Sequence, residues 1–195
     1  MRCGLTAVVT SVNAERLGQL ADLALFLGNV AGVGLDLFRP LGRGNGRDLA
    51  PNPDVLTQGL RELKTQAERL RLAGIPFRFR EMDRLQKRRS MHTCGGAYCY
   101  AQTDLSLALD GRGDWWPCSS FAGQASSLLG NIRDGLPPGN RFAAELAAPE
   151  RCRRCGSFPL CLGGCPARRY QTGAPDNLDC VMHRVLSDDH KRGAP

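Results

Sequence analysis

The chain has no apolar run long enough to cross a membrane, and its start does not read as a secretory leader. Met-Arg-Cys-Gly-Leu-Thr-Ala-Val-Val-Thr carries one basic residue and too short an apolar stretch. An oxidising destination has no support, and the expected location is cytoplasmic. Cysteine is nearly missing from the first half: Cys3 stands alone before residue 90, and the other eight of nine fall between 94 and 180. Because disulfides are rare in reducing compartments, so many thiols in one region argue for metal. At 195 residues, with 42% hydrophobic and 23% charged, the chain has room for one or two ordinary globular domains.

The densest feature is Cys-Arg-Arg-Cys-Gly-Ser-Phe-Pro-Leu-Cys-Leu-Gly-Gly-Cys-Pro over residues 152–166, a C-x2-C-x5-C-x3-C run, with Cys180 following. Four thiols within so short a stretch lie in reach of a common centre, and thiolates suit zinc, copper(I) or iron-sulfur clusters. Gly156, Gly163 and Gly164 let backbone amides approach sulfur closely. Zinc ribbons usually repeat a C-x2-C knuckle, whereas C-x3-C-P closes the bacterial ferredoxin run, in which the last cysteine serves the other cluster. Cys165 reads the same way. The formal charge of +7 counts every thiol as neutral. Eight thiolates around two clusters would leave about two negative charges on each, which removes much of the excess and argues against a nucleic-acid partner.

Residues 1–90 alternate strand and helix. Leu5 to Thr10 is a β-branched apolar run, and Asn13 can cap a helix with Leu17, Leu20, Ala24 and Leu27 at helical spacing until Gly28. Val33 to Phe38 is the next strand, and a Gly/Pro-rich loop runs from Arg39 to Pro53. A helix from about Asp54 places Leu56, Leu60, Leu63, Ala67 and Leu70 on one side and ends at Gly74, and Pro76 to Arg80 is a third strand. Strands separated by helices imply parallel pairing. Three strands cannot close a barrel, and alone they would leave both sheet edges open, so the layer reads as part of a larger barrel rather than as an independent sheet.

Residues 91–195 change to loops, turns and cysteine. Asp104 to Leu109 alternates polar and apolar, Asp110-Gly111-Arg112-Gly113 is a turn, and Asp114 to Cys118 returns as the second strand of a hairpin. Gly130 to Gly139 is a loop, Arg141 to Ala147 a short helix, and Asp188 to Pro195 a frayed tail. The expected fold class is therefore α/β, then loop-rich α+β with a β-hairpin.

Cys99, thirteen residues, Gly113, four residues, Cys118, then the run at Cys152, Cys155, Cys161 and Cys165, then Cys180, resembles the seven-cysteine pattern of the SPASM domain, the carboxy-terminal extension of radical SAM peptide-modifying enzymes. Leu162-Gly-Gly-Cys-Pro-Ala is also similar to that family. In the anaerobic sulfatase-maturating enzymes a further cysteine shortly before the first supplies an eighth ligand, and Cys94 stands in that place. The resemblance implies two auxiliary [4Fe-4S] clusters: Cys94, Cys99, Cys118 and Cys165 hold the first, and Cys152, Cys155, Cys161 and Cys180 the second. Upstream, Thr6-Ala-Val-Val-Thr-Ser-Val-Asn followed by a helix resembles the sixth strand and helix of the radical SAM partial (β/α) barrel, and Phe38-Arg-Pro-Leu-Gly-Arg-Gly-Asn a later strand's loop. Residues 1–90 are then the last strands and helices of that barrel, and 91–195 a SPASM iron-sulfur domain.

Two departures limit the carry-over. The C-x3-C-x2-C loop that holds the cluster cleaving S-adenosylmethionine does not occur, and the first five barrel strands have no counterpart. The chain thus resembles the last part of such an enzyme: a piece of a split protein, a degenerate relative, or a reading frame begun late. Its implied partners are an amino-terminal half on another chain, with which alone S-adenosylmethionine would enter, and a peptide or protein substrate. Second, the family aspartate that follows the hairpin cysteine and accepts the substrate proton is here Ser119. A lone serine is a poor general base, so the catalytic residue is unknown and sulfatase maturation is disfavoured. Asp110 and Asp114 are nearby, but a turn Asp is more often a turn former.

Other residues carry paired readings. His92 is a ligand or nearby donor, but eight cysteines already complete two four-thiolate sites. Trp115 and Trp116 line a peptide groove or, for one of them, pack in a core. Arg151, Arg153, Arg154, Arg168 and Arg169 offset cluster charge, meet an acidic substrate, or form a solvated basic surface. Cys3 is a buried or free thiol. Two function classes stand: an iron-sulfur protein whose auxiliary clusters bind substrate or pass electrons, and a zinc-stabilised binding module with a basic surface.

Overall fold

In the computed structural model, residues 2–40, 44–90, 97–103, 105–139, 146–172 and 177–187 are described. They form two compact units, one of residues 1–91 with 177–195 and the other of residues 92–176.

In the first unit the β-branched stretch near the start becomes β1 (Cys3–Val9), and a 3-10 turn at Ala14–Arg16 leads into α1 (Gln19–Leu27). Asn13 does not cap that turn. Its side chain instead accepts from the Thr10 amide at 2.8 Å and donates to the Val8 carbonyl at 2.9 Å. Gly28 ends α1 in the left-handed conformation that favours glycine. β2 (Val30–Leu37) pairs parallel with β1, and β3 (Arg78–Phe79) parallel with β2, in the order β1-β2-β3. Between them α2 (Pro53–Leu72) begins at Asn52, whose side chain accepts from the Asp54 amide at 2.8 Å, with Pro53 at the first helical position.

Alternation along the parallel strands separates two faces. Val9, Val33, Leu35, Leu37 and Phe79 are buried on one, as are Leu56, Leu60 and Leu63 of α2 and Ala21 and Ala24 of α1. Gly4, Thr6 and Val8, in register with Gly32, Gly34 and Asp36, lie on the opposite face. Gly59 admits the backbone of the 3-10 turn, because a Cβ there would collide with the Ala14 carbonyl.

Two elements were not expected. The strand read at Pro76 to Arg80 is only two residues long, and the chain turns at once into α3 (Arg80–Ser90). Leu85 is its buried apolar anchor, so the sequence offered little helical periodicity. The buried Glu81 accepts from the Leu35 amide at 3.1 Å and from Arg80 Nε at 2.7 Å, while Arg80 Nη2 donates to the Leu35 carbonyl at 2.6 Å. This charged pair takes over backbone bonding on β2 where the short β3 has ended. The second is α7 (Asn177–Ser187), which carries Cys180 and packs on α2, burying Leu178, Met182, Val185 and Leu186. Lys64 Nζ of α2 donates to the Val185 carbonyl at 3.3 Å. Residues 177–187 therefore group with the first unit.

The second unit holds the expected hairpin, β4 (Ala108–Leu109) and β5 (Asp114–Trp116), with a third strand, β6 (Gly130–Asn131), where a loop was expected. Two residues, one of them glycine, give no strand signal; β6 exists because the Trp115 carbonyl accepts from the Leu129 amide at 2.9 Å. The cysteine run folds into α4 (Glu150–Arg153), α5 (Phe158–Cys161) and α6 (Pro166–Thr172). Trp116, Phe121, Leu146 and Ala167 form a small core against which Cys118 and Cys165 pack, with Phe121 and Tyr170 edge to face at 5.4 Å. Among the described residues, no helix is long and apolar enough to cross a membrane.

Candidate metal centre

Cys99 and Cys118 share one local device. Each is extended and immediately precedes a 3-10 turn, at Tyr100–Gln102 and Ser119–Phe121, and each carbonyl receives an amide three residues on, from Gln102 at 3.1 Å and Phe121 at 3.0 Å. Cys165 precedes α6, whose first residue is Pro166, an imide that has no N–H to leave unsatisfied there. Burial pushes the Cys99 thiol up, and nearby Cys165 and Cys118 thiolates push the same way, against backbone hydrogen bonds from Ala101 and Gln102 that favour the thiolate. Three segments far apart in sequence thus bring these thiols within electrostatic reach of one another. Among the described residues, no three His, Cys, Asp or Glu side chains close into a metal-holding group. Cys94, assigned as the fourth ligand with them, and His92 lie outside the described residues.

In the run itself, Cys152 sits on α4, its carbonyl accepting from the Cys155 amide at 3.0 Å, and Cys161 closes α5. Leu162, Gly163 and Gly164 then take three successive positive φ angles of 48°, 83° and 72°. Glycine relieves two of them, while Leu162 bears the left-handed conformation at a cost of roughly 1–2 kcal/mol. This turn aims the Gly163 amide at Cys161 Sγ, 3.4 Å away, the donor that stabilises a thiolate ligand. Cys180 is half-buried on α7, in the first unit.

The donor chemistry fits an iron-sulfur ligand set. Every described cysteine from 99 onward is half-buried, none is in a disulfide, and the loop between Cys161 and Cys165 presents an amide to sulfur. Cys3 is exposed, which leaves the free-thiol reading of the two offered for it.

Two side chains tie the loops of the site together. Arg169, expected to offset cluster charge, meet an acidic substrate or lie on a solvated basic surface, is 6% exposed; its Nη1 donates to the Gly163 and Gly164 carbonyls at 2.6 Å each and its Nη2 to the Leu146 carbonyl at 2.7 Å. Arg168 is likewise buried, while Arg151, Arg153 and Arg154 are exposed as a solvated surface requires. Gln102 Nε2 donates to the same Leu146 carbonyl at 2.7 Å, and its Oε1 accepts from the Tyr98 amide at 2.7 Å. The Leu146 carbonyl thereby ties the loop after Cys99 to the loop before Cys165. An arginine four residues beyond the last cysteine of a run was the only available cue.

The remaining candidates sort by environment. Trp116 is core, and Trp115 is half-buried with its indole donating to the Gly135 carbonyl at 3.1 Å. Asp110 is a turn former: burial would raise its pKa, but the amides of Asp114 and Arg112 and the Trp116 indole outweigh that and lower it. Ser119 is exposed beside Cys118.

No protein-family model matches the chain. It is 28% identical over 191 residues to the mycofactocin maturase MftC of Mycobacterium tuberculosis, covering 91% of this chain and 46% of that protein. To MftC of Mycolicibacterium smegmatis it is 28% identical over 214 residues, covering 97% and 52%. The chain spans about half the length of these curated relatives. Among solved structures, anSMEcpe with bound AdoMet superposes with a TM-score of 0.75 at 20% identity, over 94% of this chain and 53% of that one. The same protein with AdoMet and the Cp18Cys peptide gives 0.74 at 20%, over 94% and 54%. At that identity the likeness shows a radical SAM-type fold.

Proposed function

We propose that this radical SAM, SPASM-type chain is an auxiliary-cluster region of a peptide- or protein-modifying enzyme. It binds two [4Fe-4S] clusters: Cys94, Cys99, Cys118 and Cys165 supply the first, and Cys152, Cys155, Cys161 and Cys180 the second. Bound clusters of this kind supply electron transfer or a place for substrate to bind. The chain's own residues half-bury the thiols, shape the Cys161–Cys165 turn and present the Gly163 amide to sulfur. The observation that supports the reading is that Cys118 and Cys165 pack against one small core and both lie close enough to Cys99 to act on its thiol, three cysteines that the family resemblance assigns to one cluster.

S-adenosylmethionine chemistry then belongs with an amino-terminal half that supplies the C-x3-C-x2-C loop. Ser119, in place of a carboxylate, separates the activity from sulfatase maturation. The test is anaerobic reconstitution with iron and sulfide, followed by metal and sulfide analysis and visible and paramagnetic spectra. About eight iron and eight sulfide per chain are expected for two four-iron clusters. Stoichiometric zinc without labile sulfide would replace this reading with a zinc-stabilised module.

A further inference from the structure

The loop between Cys161 and Cys165 closes over a buried cation. Arg169 Nη1 holds the Gly163 and Gly164 carbonyls and Nη2 the Leu146 carbonyl, while the Arg169 backbone amide donates to the Cys165 carbonyl at 3.2 Å. Both glycines are fully committed. Their carbonyls turn to the guanidinium, the Gly163 amide reaches Cys161 Sγ at 3.4 Å, and the Gly164 amide bonds to the Cys161 carbonyl at 2.8 Å. The packing is close: a Cβ on Gly163 would lie 2.9 Å from the Ala148 Cβ and 3.5 Å from Arg169 Nη1.

The charge matters beyond these hydrogen bonds. Gly163 lies two residues after Cys161 and Gly164 directly before Cys165, so the guanidinium sits against the short bridge between the two cysteines. The family resemblance assigns Cys161 to one cluster and Cys165 to the other. Carbonyl dipoles satisfy the N–H groups of a guanidinium without cancelling its unit charge. Leu146, whose carbonyl it holds, belongs to the small buried core, and a cation in such surroundings is screened far less than one on the surface.

On the two-cluster reading proposed above, we infer that Arg169 tunes both sites together, its buried charge favouring the reduced form of the cluster held by Cys161 and of the one held by Cys165. One-electron reduction adds a negative charge to each thiolate-bound site, and a fixed cation beside it stabilises that charge; hydrogen bonds to sulfur act in the same direction. Arg169 works by both means, through its own charge and by holding the turn that keeps the Gly163 amide on Cys161 Sγ. The exposed Arg151, Arg153 and Arg154 border the same run but stand in solvent, where their effect is small.

The full chain is reconstituted anaerobically, and the midpoint potential of each cluster is read by dithionite titration followed by paramagnetic resonance. The native protein is compared with Arg169→Gln, Arg169→Lys and Arg153→Gln. In Arg169→Gln both midpoints should fall, the reduced fraction at a fixed potential dropping about tenfold, which is about 59 mV for one electron. Arg169→Lys keeps the charge without the planar fork and should stay within about threefold of native, as should the exposed Arg153→Gln. A role confined to closing the loop gives the opposite sign, since admitted water favours the more charged reduced form and raises the midpoints. A midpoint does not depend on occupancy, so partial loading of a variant still decides the sign. Midpoints that rise or stay in Arg169→Gln overturn the proposal, and so does an equal fall in Arg169→Lys, which assigns the effect to the fork. If Arg169→Gln holds no cluster, Arg169→Lys decides: full loading with native midpoints supports the charge, and a tenfold fall overturns it. A native chain that takes up no iron and sulfide overturns the cluster reading and this proposal with it, whereas native loading with unmoved midpoints overturns this proposal alone.

Discussion

Arg169→Met isolates what holds the cysteine loops together. Methionine keeps much of the unbranched stem and fills similar space, so the change removes the charged fork rather than the packing. In the native chain the fork serves three carbonyls, those of Gly163, Gly164 and Leu146, at 2.6, 2.6 and 2.7 Å. The Leu146 carbonyl keeps the Gln102 amide, so two carbonyls lose the donor seen here. Each buried carbonyl left unmade costs about 1–3 kcal/mol, while the desolvation of a guanidinium that is 6% exposed is recovered. The net loss is about 3 kcal/mol. Trp115 and Trp116 are the chain's two tryptophans, and both lie in the second unit, so their fluorescence reports on that unit alone. With a guanidinium m-value of roughly 3 kcal/mol per molar, the midpoint should fall by about 1 M. Reconstituted Arg169→Met should also retain less iron than the native chain. Arg153→Met is the control: Arg153 is exposed and gives one bond to the Ala148 carbonyl at 3.1 Å, a loss of under about 0.5 kcal/mol. Equal midpoints for the two variants would refute the account of Arg169 as the clasp of the Cys161–Cys165 loop.

Cys165→Ala should remove one cluster and Cys180→Ala the other, as residual iron and the spectrum of the surviving cluster will report; loss of the same cluster in both variants breaks the assignment. His183 is held to a pKa of about 4, first by burial and then by the nearby Arg88 charge. It is neutral in both states above its unfolded pKa of about 6.5, and as pH falls only the unfolded chain takes the proton, so stability drops by about 2 kcal/mol from pH 7 to pH 5. Denaturation followed by helical circular dichroism should show this slope flattened in His183→Gln; identical slopes would exclude His183 as its source. Gly59→Ala should destabilise by about 3 kcal/mol, because its Cβ meets the Ala14 carbonyl. Helix propensity alone would stabilise by about 1 kcal/mol, so the sign of the measured change decides between the two effects.

Periodicity and punctuation made the first unit legible. The leucines of α2 recur on one helical face, Asn52 and Pro53 mark its start, and β-branched runs mark β1 and β2, so local residue types suffice for elements that bury one continuous side. α3 and β6 were not legible, for one reason. Each is short or polar and is stabilised by distant partners: Glu81 and Arg80 by the Leu35 backbone, Gly130 by Trp115. Such bonds leave no repeat in the sequence.

The candidate site divides the same way. Cysteine type and spacing, with the glycines and proline around Cys165, are chemical requirements of soft-metal ligation and need no fold to be recognised. That Cys99, Cys118 and Cys165 serve one cluster was implied only by the family resemblance; the folded chain adds that Cys118 and Cys165 pack against one small core and that both act on the Cys99 thiol. That Arg169 is buried, and that Cys180 rides on a helix packed against α2, are properties of tertiary structure alone. A charged residue reads as surface until the carbonyls of Gly163, Gly164 and Leu146 gather around it. A cysteine's place on a pattern says nothing of the helix face that carries it.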